Sequence, residues 1–286
     1  MKHIFILNGN IKSHPFEVII HKVMKDYDYQ IIYTKQKGDA IDISKQFSNQ
    51  KNRIYSVGGD GMLNEVIQGL VHTDNELVVI PLGTGNDFHR YLSSEKDCQK
   101  ILIDSLKLPS VLVDTALLNQ RYYINTACFG LDSVIANKIN EALHIPFASH
   151  NKSYIRSIIK QLFQYRSRHI KITDNNQVLY DGDIILCTVN NGQYYGGGFC
   201  LTPKADIRDG YLDLCVVDKL PGYKIPYMLT LLLLNKLEKR KEVHYFRCQQ
   251  LSIDCPYSGN IDGEEINNSL YEIKIVPRSI RLVCSL

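Results

Sequence analysis

A hydrophobic stretch runs directly into a glycine-rich turn at residues 57–65, which read Val-Gly-Gly-Asp-Gly-Met-Leu-Asn-Glu. Glycine has no Cβ, so backbone N–H groups can converge there, and the N-terminus of the following helix adds partial positive charge. These features favour phosphate binding at Gly58, Gly59 and Gly61, and Asp60 is placed to position Mg²⁺ on the phosphates. A plain strand-to-helix turn would carry the same pattern, so this stretch alone leaves two interpretations open.

A second loop of the same kind follows the next predicted strand, where residues 80–88 read Ile-Pro-Leu-Gly-Thr-Gly-Asn-Asp-Phe. Thr84, Asn86 and Asp87 could bind phosphate, metal or ribose, although Asn and Asp are also routine helix caps. Both loops follow the carboxyl ends of predicted parallel strands, which is the edge where open α/β sheets bind ligands. The two loops together predict a nucleotide site more strongly than either does alone.

Predicted strands and helices alternate around these loops. The strands cover residues 3–7, 29–33, 53–57 and 76–80, and the helices cover residues 16–24, 38–47 and 62–71. This β-α-β rhythm predicts an α/β domain over residues 1–115, built on an open parallel sheet that binds nucleotide.

The pattern changes near residue 111, beyond which short strands separated by turn residues predominate. Two predicted helices, over residues 151–168 and 223–241, interrupt them. We therefore expect an antiparallel β-sandwich domain over residues 116–286, with the last strand a candidate to return to the first domain.

The bulk composition narrows the class of protein. A chain of 286 residues suits two domains, and a net charge of +3 with a pI near 8.3 is too mild for nucleic-acid binding. Its eight cysteines form no Cys-x-x-Cys pair, which favours free thiols in a reducing compartment. The longest apolar run, residues 227–234, is far shorter than the ~20 residues that span a bilayer. We expect a cytoplasmic protein that meets membranes peripherally.

A third acidic turn stands at residues 260–264, which read Asn-Ile-Asp-Gly-Glu. Phosphoryl transfer to an alcohol needs a group that orients the hydroxyl and accepts its proton, and Asp262 is a candidate. Without further context, an ordinary Asp-Gly hairpin turn is the better interpretation.

Taken in order, these three motifs resemble the diacylglycerol kinase catalytic-domain family, which includes bacterial soluble diacylglycerol kinases and the sphingosine kinases. Further matches stand at residues 190–199, 203–205 and 209–213, so the resemblance covers essentially the whole chain. It implies an ATP- and Mg²⁺-dependent kinase that transfers the γ-phosphate to a lipid hydroxyl. Diacylglycerol is the favoured acceptor, with phosphatidic acid as the product.

The resemblance also implies roles for individual residues. The implied ATP-binding residues are Asn8, Thr34, Gly58, Gly59, Asp60, Gly61, Asn64, Glu65, Gly83, Thr84, Asn86 and Asp87. The implied catalytic residues are Asp262 as the proton acceptor, Asp60 acting through Mg²⁺, and Glu264 beside Asp262. A second Mg²⁺ site would use Asp206, Asp209 and the backbone carbonyl of Tyr211, although the two acids fit a solvated turn equally well.

Two positions depart from the family pattern. Residues 8–13 read Asn-Gly-Asn-Ile-Lys-Ser where the family usually has Asn-Pro, and Met62 stands where a threonine is common. These departures leave room for a catalytically silent nucleotide- or lipid-binding regulator. A kinase for a sphingoid base, another lipid alcohol or NAD is the other alternative, since NAD kinases share a Gly-Gly-Asp-Gly loop. The loop at residues 81–88 favours lipid.

The expected partners are ATP, a lipid alcohol and, transiently, a membrane surface, with a homodimer also considered and no nucleic acid. In the predicted helix at 151–168, Lys152, Arg156 and Lys160 form one basic stripe beside a separate apolar face. A surface helix packed on its own domain is the better interpretation of this pattern. Residues 227–234, with the basic residues that follow, invite the same two interpretations.

Overall fold

The computed structural model describes residues 1–9, 15–130, 167–234 and 236–285. The chain divides into two compact units. Unit 1 comprises Met1–Ile124, Ile207–Gly210 and Val276–Leu286, and unit 2 comprises Asn125–Asp206 and Tyr211–Ile275. The first stretch of unit 1 therefore runs beyond residue 115, where the sequence placed the boundary. Unit 1 also includes two later stretches of the chain, residues 207–210 and 276–286.

Unit 1 contains the predicted parallel sheet, in the order β4-β3-β1-β2. The strands are β1 (Lys2–Asn8), β2 (Tyr29–Thr34), β3 (Asn52–Gly58) and β4 (Glu76–Pro81). The helices are α1 (Pro15–Val23), α2 (Asp39–Lys45), α3 (Asp60–Ile67), α4 (Asp87–Leu92) and α5 (Cys98–Ser105). All four carboxyl ends share one edge because the strands are parallel, and the chain order reverses between β1 and β3 at that edge.

The core of unit 1 explains why β1 and β4 carry continuous apolar runs, Ile4 to Leu7 and Leu77 to Ile80. Successive side chains of a strand point to opposite faces of the sheet. Ile4 and Ile6 of β1 lie in a cluster with residues of α3, whereas Phe5 and Leu7 lie in a second cluster with residues of α1 and α5. A sheet covered by helices on both faces has no solvent-facing side, so alternation of polar residues disappears.

The rest of unit 1 is a hairpin and the end of the last strand. β5 (Ser110–Leu118) and β6 (Arg121–Tyr123) form the hairpin. The last strand, β17 (Leu270–Val283), contributes to both units. It pairs antiparallel with β14 through residues 270–274 and parallel with β4 through residues 281–282.

Unit 2 is built from antiparallel strands, which confirms the predicted α/β-plus-β architecture. Its strands are β7 (Thr126–Gly130), β8 (Arg168–Asp174), β9 (Gln177–Asn190), β10 (Tyr194–Tyr195), β11 (Phe199–Cys200), β12 (Leu212–Asp218), β13 (Val243–Cys248), β14 (Gln250–Asp254), β15 (Gly259–Ile261) and β16 (Glu264–Ile266). The main path runs β16-β15-β7-β9-β8-β14-β17, and β12 pairs with both β9 and β13. All eight cysteines are free thiols.

The two helices predicted for the second half have different outcomes. The first, over 151–168, falls almost entirely outside the described residues, and its last residue begins β8. The second is shorter than its predicted span of 223–241: α6 (Ile225–Leu233) is flanked by short 3-10 helices at Gly222–Lys224 and Leu237–Lys239. A proline near the first turn presets the backbone for helix entry there.

Candidate active site

The two glycine-rich loops lie side by side at the carboxyl edge of the parallel sheet. β3 and β4 are in register up to their last residues, where Gly58 pairs with Pro81. The Leu82 N–H then donates to the Gly58 carbonyl at 3.0 Å, so the chains stay together beyond the strands. The sequence predicted that both loops lie at one edge of the sheet, and the register of the neighbouring strands β3 and β4 places them there.

The contact between the loops depends on two glycines. A Cβ at Gly83 would lie 2.3 Å from Gly59 Cα and 2.9 Å from Gly59 N. Real Cβ atoms do not approach backbone this closely, so a side chain at residue 83 would force the loops apart. The glycines are needed here for close backbone approach, which is the geometry that exposes N–H groups to a phosphate.

Asp60 locks the first loop to the second. Its Oδ2 accepts a hydrogen bond from the Asp87 N–H at 3.1 Å, and its Oδ1 accepts one from the Phe88 N–H at 3.3 Å. Burial raises the pKa of the Asp60 carboxyl, and these backbone N–H groups partly oppose that rise by stabilising the charged form. Both carboxylate oxygens of Asp60 therefore hold the second loop in place. The sequence predicted a different role for this carboxylate, contact with Mg²⁺.

Asn86 shapes the second loop from within. Its backbone is left-handed, with φ of +51°, and its side-chain Oδ1 accepts from the Gly83 N–H at 3.0 Å. Its Nδ2 donates to the carbonyls of Pro81 and Gly83 at 3.1 and 2.7 Å. The side-chain amide of the predicted ligand Asn86 thus forms its hydrogen bonds within its own loop. Thr84, at the tip of the loop, is exposed.

The ends of β1 and β2 are tied together at the same edge. Thr34 is buried; its Oγ1 accepts from the Gly9 N–H at 3.3 Å and donates to the Leu7 carbonyl at 3.4 Å. A Cβ at Gly9 would lie 1.8 Å from the Thr34 carbonyl oxygen, so residue 9 must be glycine for this approach. Asn8 is the last residue of β1, and most of the atypical stretch at 8–13 lies outside the described residues.

Two predicted ATP ligands in α3 face the protein rather than the edge. Asn64 is fully buried; its Oδ1 accepts from Arg121 at 2.7 and 3.0 Å and its Nδ2 donates to the Tyr122 carbonyl at 3.1 Å. Glu65 accepts from the Gly38 N–H at 2.9 Å and from the Ala40 N–H at 3.3 Å, at the start of α2. These contacts indicate structural roles, in which Asn64 anchors β6 and Glu65 fixes the loop that follows Thr34.

The atypical Met62 packs inward. It contacts the core cluster that includes the apolar residues of α3, and a Cβ at Gly58 would lie 2.8 Å from the Met62 Cβ. Met62 therefore supports the glycine loop through apolar packing. The threonine that is common at this position in the family would instead supply a hydroxyl group.

In unit 2, Asp262 occupies a tight turn between β15 and β16. It is buried and left-handed, with φ of +46°, and its N–H donates to the Thr126 carbonyl at 3.0 Å. Its Oδ1 accepts from the N–H groups of Asn125 and Thr126 at 3.2 and 2.9 Å. Two backbone donors on one oxygen fix the orientation of the carboxylate. Glu264, two residues on, begins β16 and is partly buried.

The support for Asp262 comes from Asn125 and from residues within the family match at 190–199, to which the sequence analysis assigned no role in the site. The Asn125 carbonyl accepts from the N–H groups of Asn191 and Gly192, and Asn125 Nδ2 donates to the Tyr194 carbonyl at 3.0 Å. A Cβ at Gly192 would lie 2.3 Å from Asn125 Oδ1. The Asn-Asn-Gly-Gln-Tyr stretch at 190–194 thus holds the strand end that orients Asp262. Gly192 was the signal that the sequence offered, because a glycine lets the backbone approach a neighbouring group closely.

The predicted second Mg²⁺ site spans the stretch around residues 206–211. Asp206 and Asp209 are partly exposed, and Tyr211 is exposed. Within unit 1, buried Asp114 accepts from the N–H groups of Gly210 at 2.8 Å and Arg278 at 2.7 Å. Two carboxylates and a carbonyl are the oxygen donors that Mg²⁺ prefers. Within the described ranges no three His, Cys, Asp or Glu side chains converge as a metal group, so the site remains a prediction.

Paired glycine loops at the carboxyl edge of a parallel sheet lie where open α/β sheets bind ligands, and glycine loops of this kind suit phosphate groups. Residues 4–116 match the family described as the diacylglycerol kinase catalytic domain. Residues 125–284, more than half of the chain, match the YegS C-terminal NAD kinase beta sandwich-like domain. The chain therefore belongs to the diacylglycerol kinase catalytic-domain family with a YegS-type second domain, a family of lipid kinases.

Individual relatives agree with this assignment. A diacylglycerol kinase of Staphylococcus saprophyticus is 27% identical over 281 residues, covering 93% of this chain and 90% of the relative. A crystal structure of a diacylglycerol kinase from Bacillus anthracis superposes with a TM-score of 0.77 at 23% identity, covering 99% of this chain and 97% of the other. An NAD kinase from Archaeoglobus fulgidus in complex with ATP has a TM-score of 0.56 at 10% identity, covering 99% and 93%. The two structural likenesses show the fold alone.

Proposed function

We propose that this protein transfers the γ-phosphate of ATP to the hydroxyl of a lipid alcohol, with diacylglycerol as the favoured acceptor and phosphatidic acid as the product. The observation that carries the proposal is the pair of glycine loops held in backbone contact at Gly59 and Gly83 and locked by Asp60. Family membership and the named activity of the staphylococcal relative support the choice of acceptor.

In this proposal, the loops at the carboxyl edge bind the phosphates of ATP. Gly58, Gly59 and Gly61 present backbone N–H groups, and exposed Thr84 adds a hydroxyl. Gly83, whose N–H is bonded to Asn86 Oδ1, contributes the close approach of the second loop to the first. The other predicted ATP-binding residues act by supporting the site. Asn8 and Thr34 lie at the ends of β1 and β2, and Asn86 and Asp87 shape the second loop. In α3, Glu65 fixes the loop that follows Thr34, and Asn64 anchors β6.

Asp262 acts as the proton acceptor. The carboxylate takes the proton of the lipid hydroxyl as that oxygen attacks the γ-phosphorus in line and the bond to the β-phosphate oxygen breaks, releasing ADP. Because the N–H groups of Asn125 and Thr126 hold Oδ1, no reorganisation of the carboxylate is needed when the substrate arrives. Glu264, in the same turn, assists in orienting the acceptor.

Mg²⁺ fits the oxygen donors that the chain offers. Asp60 would hold it near the nucleotide, and Asp206, Asp209 and the Tyr211 carbonyl would hold a second, structural ion. When bound, the ion neutralises negative charge on the transferring phosphoryl group.

The test is the transfer of labelled γ-phosphate from ATP to a panel of acceptors in mixed micelles. The panel holds diacylglycerol, monoacylglycerol, ceramide and a sphingoid base, with NAD as a soluble acceptor. Asp262→Asn is the informative variant because asparagine tolerates the left-handed backbone and its amide oxygen can still accept both N–H bonds. General base catalysis contributes roughly 10²–10⁴-fold, so turnover should fall by about that factor while the fold and ATP affinity persist.

The matched control is Asp254→Asn, which removes an exposed carboxylate from β14 in the same unit. Label on diacylglycerol that disappears in Asp262→Asn alone supports both the activity and the base. Label on a sphingoid base or on NAD would replace the acceptor and keep the mechanism. ATP binding without label on any acceptor would instead favour a regulator, the alternative left open by Met62.

A further inference from the structure

Large apolar and aromatic side chains are exposed on α6 and immediately beside it. Tyr227 is 50% exposed and Leu234, just past the end of the helix, is 56% exposed, while Tyr223 immediately before the helix is 78% exposed. Residues 223, 227 and 234 lie at spacings of four and seven, which places them on one side of the segment. We call Tyr223, Tyr227 and Leu234, together with Lys236, Arg240 and Lys241, the aromatic-basic surface.

Packing of unit 2 does not account for these exposed side chains. Ile225, Met228 and Leu231 of the segment are buried. Met228 and Leu231 belong to a core cluster that also contains Leu237 and Val243. A helix that packs on its own domain normally presents polar residues to solvent on the other side. Here the described solvent-exposed residues of 223–234 include Tyr223, Tyr227 and Leu234, and the exposed residue Thr230 is polar but uncharged.

Positive charge is concentrated around the same side chains. Residues 219–242 contain six lysines and arginines and two glutamates, which is six minus two, or +4, against +3 for the entire chain. Both glutamates are engaged by lysines: Glu238 lies 3.4 Å from Lys204, and Glu242 lies 3.0 Å from Lys224. The rest of the protein is therefore close to neutral, with a net charge of +3 minus +4, or −1, although Lys219 of this segment is bridged to Asp183 outside it at 3.3 Å.

The cations that remain lie beside the apolar groups. Lys236 and Lys241 are exposed. Lys241 interacts electrostatically with the neighbouring Glu242, whose carboxylate is bonded to Lys224. Arg240 stacks on Tyr227, with its guanidinium carbon 4.9 Å from the ring centroid, and donates a hydrogen bond to the phenol oxygen. The surface thus presents aromatic rings and cations together, which is the combination that suits the headgroup region of a bilayer.

We propose that the aromatic-basic surface docks the protein on an anionic phospholipid bilayer. Tyr223, Tyr227 and Leu234 enter the headgroup layer, and Lys236 and Lys241 face the lipid phosphates. The proposal rests on the proposed function, since a long-chain lipid acceptor resides in a membrane. A basic side chain near an anionic membrane surface contributes about 1 kcal/mol, so two lysines change the vesicle partition coefficient by about 30-fold.

The test is co-sedimentation of the full chain with vesicles of phosphatidylcholine, with and without phosphatidylglycerol, at low and high salt. Wild-type protein should bind the anionic vesicles at low salt and lose binding as salt screens the lysines. Lys236→Gln/Lys241→Gln should bind them about 30-fold more weakly. Tyr223→Ser/Leu234→Ser should weaken binding to both kinds of vesicle. All four side chains are exposed, so the thermal midpoint should not change.

Matched controls carry the same changes elsewhere. Lys25→Gln/Lys107→Gln removes two exposed lysines from unit 1, and Val18→Ser/Val178→Ser removes two exposed valines, 71% and 49% exposed. Both controls should bind vesicles as wild type does. Equal loss in the lysine control, or wild-type binding by both surface variants, would overturn the proposal. A change of oligomeric state in the surface variants, seen by light scattering without a change in vesicle binding, would assign the surface to a second copy of the chain.

Activity measurements separate this proposal from the proposed function. The surface variants should phosphorylate a water-soluble short-chain diacylglycerol at the wild-type rate and slow down only on vesicle-borne substrate. Failure of wild type to phosphorylate any lipid, with vesicle binding that still depends on the two lysines, would sink the proposed function and keep the docking surface.

Discussion

The contact between the two glycine loops makes Gly83→Ala a sharp test of the nucleotide site. The added methyl group would lie 2.3 Å from Gly59 Cα, 2.8 Å from Asn86 Oδ1 and 2.9 Å from Gly59 N. Two of these three atoms belong to backbone, which cannot rotate away as a side chain can. Residue 83 does not have a left-handed backbone, so the substitution acts through space alone.

The size of the expected loss in ATP affinity depends on how the loops relieve the steric strain. Forcing extra volume into a packed site costs roughly 1–3 kcal/mol. The loops are exposed on one side, so they relieve the strain by separating, and ATP must then supply the energy that brings them back. An energy of about 1–3 kcal/mol corresponds to a loss of ATP affinity of about 5- to 150-fold.

Titration of ATP into each variant, monitored by calorimetry, measures this loss, and urea unfolding measures stability. Gly197→Ala is the control: its φ is +86° and no atom lies within 4 Å of the added methyl group. It should lose about 1–2 kcal/mol of stability through backbone strain in unit 2 and keep its ATP affinity. Wild-type affinity in Gly83→Ala, or equal losses of affinity in both variants, would refute the assignment of the loops to ATP.

Two further substitutions test other parts of the structure. Gly192→Ala places a methyl group 2.3 Å from Asn125 Oδ1 and displaces the strand end that orients Asp262. In steady-state kinetics, kcat should therefore fall at least about 10-fold. An unchanged kcat would show that this strand end does not position the base. Burial and nearby Arg53 lower the pKa of His3 from 6.5 to about 4. The unfolded chain therefore takes up a proton at higher pH than the folded protein, so stability is full above about pH 6.5 and falls as the pH drops toward 4. Urea unfolding at pH 7 and pH 4.5 should show a loss of about 2 kcal/mol in wild type beyond that in His3→Gln, and parallel losses in both would contradict the assignment.

The sequence predicted those parts of the fold that depend on local pattern. Apolar runs ending in glycine located β3 and β4, and parallel pairing then required the loops at 58–61 and 83–87 to share an edge. What it missed depends on contacts distant in the chain. Glu65 caps the start of α2 from 27 residues away, and Thr126 holds Asp262 from 136 residues away. No local pattern distinguishes an asparagine that binds a ligand from one that, like Asn86, binds its own loop.

Backbone N–H groups hold the two candidate catalytic carboxylates, Asp60 and Asp262, in different ways. Replacing each by asparagine should therefore have different effects. Asp60 receives its two N–H bonds on separate oxygens, whereas Asp262 receives both on Oδ1.

An asparagine has one acceptor oxygen, so Asp60→Asn must turn its NH₂ group toward the N–H of either Asp87 or Phe88. An unsatisfied buried donor costs about 1–3 kcal/mol, and the lock between the loops is lost with it. Asp60→Asn should therefore lose both stability and ATP affinity, measured by urea unfolding and calorimetry. Asp262→Asn should lose turnover alone. If Asp60→Asn kept wild-type stability and ATP affinity and lost only turnover, its carboxylate would serve the metal and the chemistry rather than the loops.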